Sequence, residues 1–153
     1  MQHQPIKRHK ALQNLSREHH DILVFALRLQ KAVAKNANLN DMQAYSNWFW
    51  DAYLKAHLQL EEYQLFPLLD AQNHLVYKAK QEHIELKALF NQPAKTNLEF
   101  KQLYQLLQQH IRFEERKLFN FIQDSIDEHD LLAFKKQHQK QQTCGVWKNK
   151  FWE

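Results

Sequence analysis

Glycine and proline together fill four of the 153 positions, and the single glycine, Gly145, stands near the C-terminus. A chain with one glycine almost lacks the residue most at ease with positive φ, which tight hairpin turns and phosphate-cradling loops need repeatedly. Dinucleotide fingerprints, P-loops and β-hairpins are thereby excluded. Val, Ile and Thr number only twelve, whereas Leu, Ala, Gln, Lys and Glu dominate, the composition of helices and not of sheets. The fold class expected is all-α. With 44% apolar and 25% charged residues, the balance is that of one globular unit.

The longest unbroken apolar run, Ile22 to Leu27, is far short of the roughly 20 residues that cross a bilayer, and the N-terminus has no signal-peptide core. One cysteine, Cys144, rules out an intrachain disulfide, a CxxC pair and a cysteine-rich zinc site. A cytoplasmic, membrane-free protein is expected. The net charge of +4 arises from 21 basic and 17 acidic residues scattered along the chain, so no nucleic-acid partner is expected. The compositional anomaly is the ten histidines.

Leu12, Leu15, Ile22, Ala26, Leu29 and Val33 follow a three-and-four spacing, which predicts a first helix from about Leu12 or Ser16 to Lys35. The missing member of that stripe is His19. After a polar connection over Asn36 to Asp41, Asn40 and Gln43 resemble a capping box opening a second helix that ends near Pro67 to Asp70. A third helix spans roughly Gln72 to Phe90, with His83 filling the gap in a stripe of Val76, Ala79, Leu86 and Phe90. Thr96 and Glu99 form a capping box for a fourth helix reaching about Asp124. Helices of this length with short polar loops close into an antiparallel up-down-up-down four-helix bundle, residues 1–126, followed by a C-terminal extension, residues 127–153. The extension has a short helix over Glu128 to His138 and a tail whose Val146, Trp147, Phe151 and Trp152 pack on the bundle or fray.

Helices 2 and 4 share an internal repeat: HLQLEEYQLFPLL from His57 and HIRFEERKLFNFI from His110. In each, His and the first Glu, His57 with Glu61 and His110 with Glu114, stand four residues apart and so share a helix face. Leu54, Leu65 and Leu68 flank the first pair, and Leu103, Leu107, Leu118 and Phe121 the second, so these faces should be buried. A lone carboxylate among leucines would cost several kcal/mol or stay protonated, and cations remove that penalty. Helices 1 and 3 repeat a different unit, EHHDI from Glu18 and EHIEL from Glu82, which sets His19 opposite His83. Four His and two Glu suffice for two metal ions, each with two imidazoles, and with two carboxylates bridging to screen their mutual repulsion. Imidazole with carboxylate and no thiolate favours iron, with manganese and zinc compatible.

On these residues the chain resembles the hemerythrin-like, or HHE cation-binding, family. The resemblance covers residues 12 to 126 and is most specific in LSREHHDIL, HLQLEEYQLFP, EH at 82 to 83 and HIRFEERKLF. It implies a four-helix bundle with a non-haem, carboxylate-bridged centre of two iron ions on His19, His57, Glu61, His83, His110 and Glu114. The Glu-x-x-His unit of ferritin-like bundles is absent. The oxygen carriers of the family use a fifth histidine from an HxxxH pair on the third helix, where this chain has Ala79 and Lys87 four residues either side of His83. That departure argues against reversible oxygen storage. The four-His members of the family imply binding or sensing of O2, NO or a related small molecule. Two alternatives are a di-iron enzyme of peroxide or NO detoxification or iron-sulfur cluster repair, and iron storage or donation. A metal-binding protein is favoured over an enzyme.

His20, beside His19, could reach the interior on a stripe with Leu23 and Leu27, although His19 is preferred and His20 would then stand behind it. His3, His9, His74, His129 and His138 are expected in solvent. Glu62 and Glu115, about 100° around the helix from the expected bridges, are expected in surface ion pairs, with a lesser reading as acids behind the metal-binding residues or on a proton or ion route to the metals. One of Tyr53, Tyr63, Tyr77 and Tyr104 could approach the metals.

Overall fold

The structure, a computed structural model, describes residues 7–138, 141 and 145–153. His3 and Cys144 lie outside the described residues. Everything regular among them is helical. A 3-10 turn, Lys10–Leu12, leads into α1, Gln13–Ala34. The second helix, α2, is composite: α-helical over Leu39–Phe49 and Lys55–Leu60, with π-helical turns at Trp50–Leu54 and Glu61–Leu65 and a closing 3-10 turn at Phe66–Leu68. α3 is His74–Phe90. α4 is α-helical over Asn97–Phe113 and Phe119–Ser125, joined by a π turn at Glu114–Leu118, and α5 is Glu128–Gln137. None of the described helices is long and apolar enough to cross a membrane.

Local chemistry sets the boundaries. α1 stops where Asn36 adopts φ 53°, a left-handed conformation that asparagine tolerates, and Ala37 N–H returns to Ala32 O at 2.9 Å in a Schellman closure. α2 is capped by Asn38, whose side chain accepts from Asn40 N and Asp41 N, so Asn40 is not the cap. Asn73 caps α3 in the same way, so the helix starts at His74, two residues after the start expected. The Thr96 and Glu99 capping box is present in both directions.

The buried apolar side chains fall into two clusters. One contains Ile22, Phe25 and Leu29 of α1, Leu54 of α2, Leu86 of α3 and Leu107 of α4. The other contains Leu15 of α1, Leu65 and Phe66 of α2, Ala79 of α3, and Leu118, Phe119 and Ile122 of α4. Each of the helices α1 to α4 contributes to both, and α1 packs most extensively along α4.

The π turns correct the apolar stripe read from a uniform helical period. A π turn carries i to i+5 hydrogen bonds, so it holds more residues than an α turn and slips everything after it by about one position. Past Glu114 the side chains that go inside are therefore Leu118, Phe119 and Ile122, and Phe121, expected to flank the site, is 38% exposed. Past Glu61 the same slip buries Phe66 and Leu69 and leaves Leu68 half-buried.

The C-terminal tail packs back on α1 and α2. Trp152 is buried, its ring 5.2 Å from Tyr45 and under the Arg28 guanidinium at 4.6 Å, whereas Val146 points to solvent. Removing a buried indole leaves a cavity the helices cannot collapse to fill. Trp152→Ala is expected to lower unfolding stability by about 3 kcal/mol. Val146→Ala should leave it unchanged, with both read by urea denaturation of the full chain.

Candidate metal centre

On every helix from α1 to α4 the polar interior residues sit between the two apolar clusters. His19 lies between Leu15 and Ile22, His57 and Glu61 between Leu54 and Leu65, His83 between Ala79 and Leu86, and His110 and Glu114 between Leu107 and Leu118. All six are buried, with Glu61 and Glu114 entirely without exposure. The i, i+4 spacing does what helical geometry requires. His57 Nε2 is 3.5 Å from Glu61 Oε2, and His110 Nε2 is 3.3 Å from Glu114 Oε1.

The four helices bring these pairs together. Glu61 also lies 3.2 Å from His83 Nε2 and 3.7 Å from His19 Nε2. Glu114 lies 3.1 Å from His19 Nε2 and 3.9 Å from His83 Nε2. The donors form two overlapping groups, His19, His57, Glu61 and Glu114, and Glu61, His83, His110 and Glu114, each with its ligand atoms within 4.8 Å of one another. Both glutamates belong to both groups. Glu61 Oε1 and Oε2, Glu114 Oε2, and Nε2 of His57, His83 and His110 have no hydrogen-bond partner although buried. Orphaned polar atoms in an interior call for an explanation, and bound cations at their convergence would supply one. The donor set therefore fits metal ions.

Behind the histidines stands a second layer of acids. His57 Nδ1 is 2.7 Å from Glu18, His110 Nδ1 2.7 Å from Glu82, and His19 Nδ1 3.1 Å from Glu115, while His83 Nδ1 is 3.8 Å from Glu62. An ionised carboxylate only accepts, so Nδ1 of His19, His57 and His110 carries the hydrogen and their Nε2 faces inward, where it could hold a cation. Aromatic rings close the faces: Phe119 stacks on His19 and Phe66 on His83, the two phenylalanines holding the same place in the internal repeat.

This layer revises several sequence expectations. Glu115 is not a surface ion-pair residue; it accepts from His19 and from Ser16 Oγ at 2.9 Å. His138 is not in solvent but buried, 3.2 Å from Glu18 through Nε2. Half-buried His9 accepts from Ala11 N and pairs with Glu128. His20, His74 and His129 are exposed, which leaves His19 as the inward residue of its pair. Of the tyrosines, Tyr63 and Tyr77 are exposed, and buried Tyr53 donates to Asp21 at 2.6 Å. Glu18 and Glu82 were singled out in the sequence only as neighbours of His19 and His83. Their adjacency was visible, but each reaches a histidine on a different helix.

Burial alone would push the four imidazoles toward neutrality, yet the facing carboxylates outweigh it. His57 and His83 rise to about 9, and His19 and His110 also lie above the ordinary value of 6.5. Burial would raise Glu61 and Glu18, but the charge of His57 and the close approach of the His19 and His83 imidazoles hold Glu61 well below 4.5, and hydrogen bonds from His138, His57 and Gln141 hold Glu18 low as well.

A family model, the hemerythrin HHE cation binding domain, matches residues 10–122. The chain has no match among the curated proteins or the solved structures compared with it.

These shifts fix a pH dependence. In the metal-free chain a raised histidine stabilises the fold fully below 6.5 and loses that contribution as pH climbs through about 9. The depressed Glu61 contributes above 4.5 and loses it as pH falls through its lower folded value. The melting temperature of metal-free protein should therefore peak between pH 4.5 and 6.5 and decline toward pH 9. Metal uptake needs neutral imidazoles and so should release protons, measurable as acidification of a weakly buffered solution near pH 7.

Proposed function

We propose, from the premise that the chain belongs to the hemerythrin HHE cation-binding family, a non-haem di-iron protein that binds or senses O2, NO or a related small molecule. The observation that carries this reading is the membership of Glu61 and Glu114 in both donor groups. Two cations a few ångströms apart repel strongly, and a carboxylate shared between them offsets that repulsion where two separate sites would not. In this assignment His19 and His57 would hold one ion, His83 and His110 the other, and Glu61 and Glu114 would serve both. Iron bound there would supply redox chemistry and a place for a diatomic molecule or peroxide. The chain's own residues orient and shelter it: the outer acids fix the imidazole tautomers, and Phe66 and Phe119 keep water from the ring faces.

The reading includes an antiparallel up-down-up-down arrangement of α1 to α4. Its support is the order in which the helices visit the two apolar clusters. α1 passes from Leu15 in the second cluster to Ile22 in the first, α2 from Leu54 back to Leu65, α3 from Ala79 to Leu86, and α4 from Leu107 to Leu118. Residues 1–126 then carry the centre and residues 127–153 form the extension, in a reducing, cytoplasmic setting. Ala79 and Lys87 provide no fifth imidazole, so binding or sensing is preferred to reversible oxygen carriage.

Metal analysis of iron-replete protein is expected to give about two iron ions per chain. Glu61→Ala and Glu114→Ala should each lose most of both ions, because a bridge serves the pair, while Glu62→Ala keeps them. His19→Ala should lower metal content more than His20→Ala, and a reproducible single zinc would refute the di-iron assignment.

Reduced protein exposed to air and then deoxygenated should fail to recover its starting optical spectrum over repeated cycles. Full recovery would identify an oxygen carrier. Sustained turnover of peroxide or NO, in place of stoichiometric binding, would identify an enzyme.

A further inference from the structure

The repeat makes the two halves of the centre chemically alike, but their surroundings differ. On the His57 side the described residues close the way in. Glu18 has no exposed surface, and it accepts from His57 Nδ1 at 2.7 Å, His138 Nε2 at 3.2 Å and the Gln141 backbone N–H at 2.9 Å. A cavity of about 200 Å³ bounded by Ala56, His138 and Gln141 ends on Glu18 and reaches none of the six inner residues. His19 is likewise closed off by Glu115, Ser16 and the stacked ring of Phe119.

The His83 side is built differently. A cavity of about 210 Å³ between α2 and α3 is lined by Trp50, Leu58, Glu62 and Ile84 and has His83 in its wall. His83 Nδ1 has no hydrogen-bond partner, although the residue is only 4% exposed. Glu62, the counterpart of Glu115 in the repeat, stays 3.8 Å away and is a third exposed. An opening from solvent thus meets one inner histidine whose outer acid stands back, and its volume of about 210 Å³ has room for a small molecule.

We propose that this cavity is the port by which a ligand of two or three heavy atoms reaches the centre, so that it arrives on the His83 and His110 side and not on the His19 and His57 side. The inference rests on the di-iron reading and adds to it which half is open. Its residues also have a role in the metal-free chain, where the same port is the short path for incoming iron.

The test uses the full-length, iron-loaded protein and azide, with association followed optically after rapid mixing. Ile84→Trp and Gln59→Trp place an indole at the mouth of the port; Ala56→Trp places one at the cavity that ends on Glu18. At least one mouth variant is expected to slow azide association tenfold or more, with iron content and melting temperature unchanged and Ala56→Trp within twofold of the parent. Iron uptake by the metal-free chain should slow in the same variants. Slowing by Ala56→Trp alone, or by none of the three in protein that holds iron and binds azide, overturns the port. A chain that takes up no iron overturns the di-iron reading and this inference together.

Discussion

Two carboxylates, Glu61 and Glu114, lie wholly out of solvent between two apolar clusters, and the arrangement of the helices follows from how that charge is compensated. An ionised carboxylate in such surroundings costs several kcal/mol unless opposite charge and hydrogen bonds are supplied at close range. Four imidazoles converge from four helices to supply them. Without metal the compensation is by protons, which is why the histidines are pushed up and Glu61 down. Cations in the same place would displace those protons and serve the orphaned oxygen and nitrogen atoms directly. The same side chains are thus adequate, though differently charged, in both states.

The outer acids bind the helices into a ring. Glu18 of α1 backs His57 of α2, Glu62 of α2 stands toward His83 of α3, Glu82 of α3 backs His110 of α4, and Glu115 of α4 backs His19 of α1. α1, α3 and α4 each therefore hold the inward histidine of the next helix by a hydrogen bond, so rotation or sliding of any one of them disturbs its own histidine and its neighbour's. A charge-assisted bond of this kind is stronger than a neutral one, and in a dry interior it is stronger still. Rigidity of the centre is in this sense a property of helix packing, and packing is in turn restrained by the centre.

What the sequence revealed was what depends on local spacing. His57 with Glu61 and His110 with Glu114 could be placed on one face because four residues make about one turn, and His19 and His83 because each filled a gap in an apolar stripe. The Thr96 cap was legible for the same reason. What escaped were effects that spacing does not encode. The π turns beginning at Glu61 and Glu114 move the stripe by a residue, so Phe119 and Ile122 enter where Phe121 was expected. Glu18 reaches across 39 positions to His57, and His138 returns across 120 to Glu18. Such contacts are fixed by tertiary packing, and a histidine in a weakly patterned end gives no periodic signal of it.

The His138 contact also explains how a chain whose internal repeat keeps the same His, Glu, Leu and Phe positions acquires unlike surroundings on the two sides. The repeated units supply equivalent inner donors, but α5 follows only α4, and of the described residues after it His138 and Gln141 lie against the His57 half. There it buries Glu18 and adds two donors to a carboxylate already bonded to His57. The corresponding acid on the other half, Glu82, bonds His110 at the same 2.7 Å but keeps some exposure, and Glu62 bonds His83 not at all. A hydrogen bond from Nδ1 to an ionised acid makes the opposite nitrogen a better donor to a cation, and its loss weakens that nitrogen. His83 is therefore the weakest-backed of the four imidazoles and also the one with a cavity beside it. Weak backing and an open approach fall on the same residue because the outer acid that would supply the one would also obstruct the other.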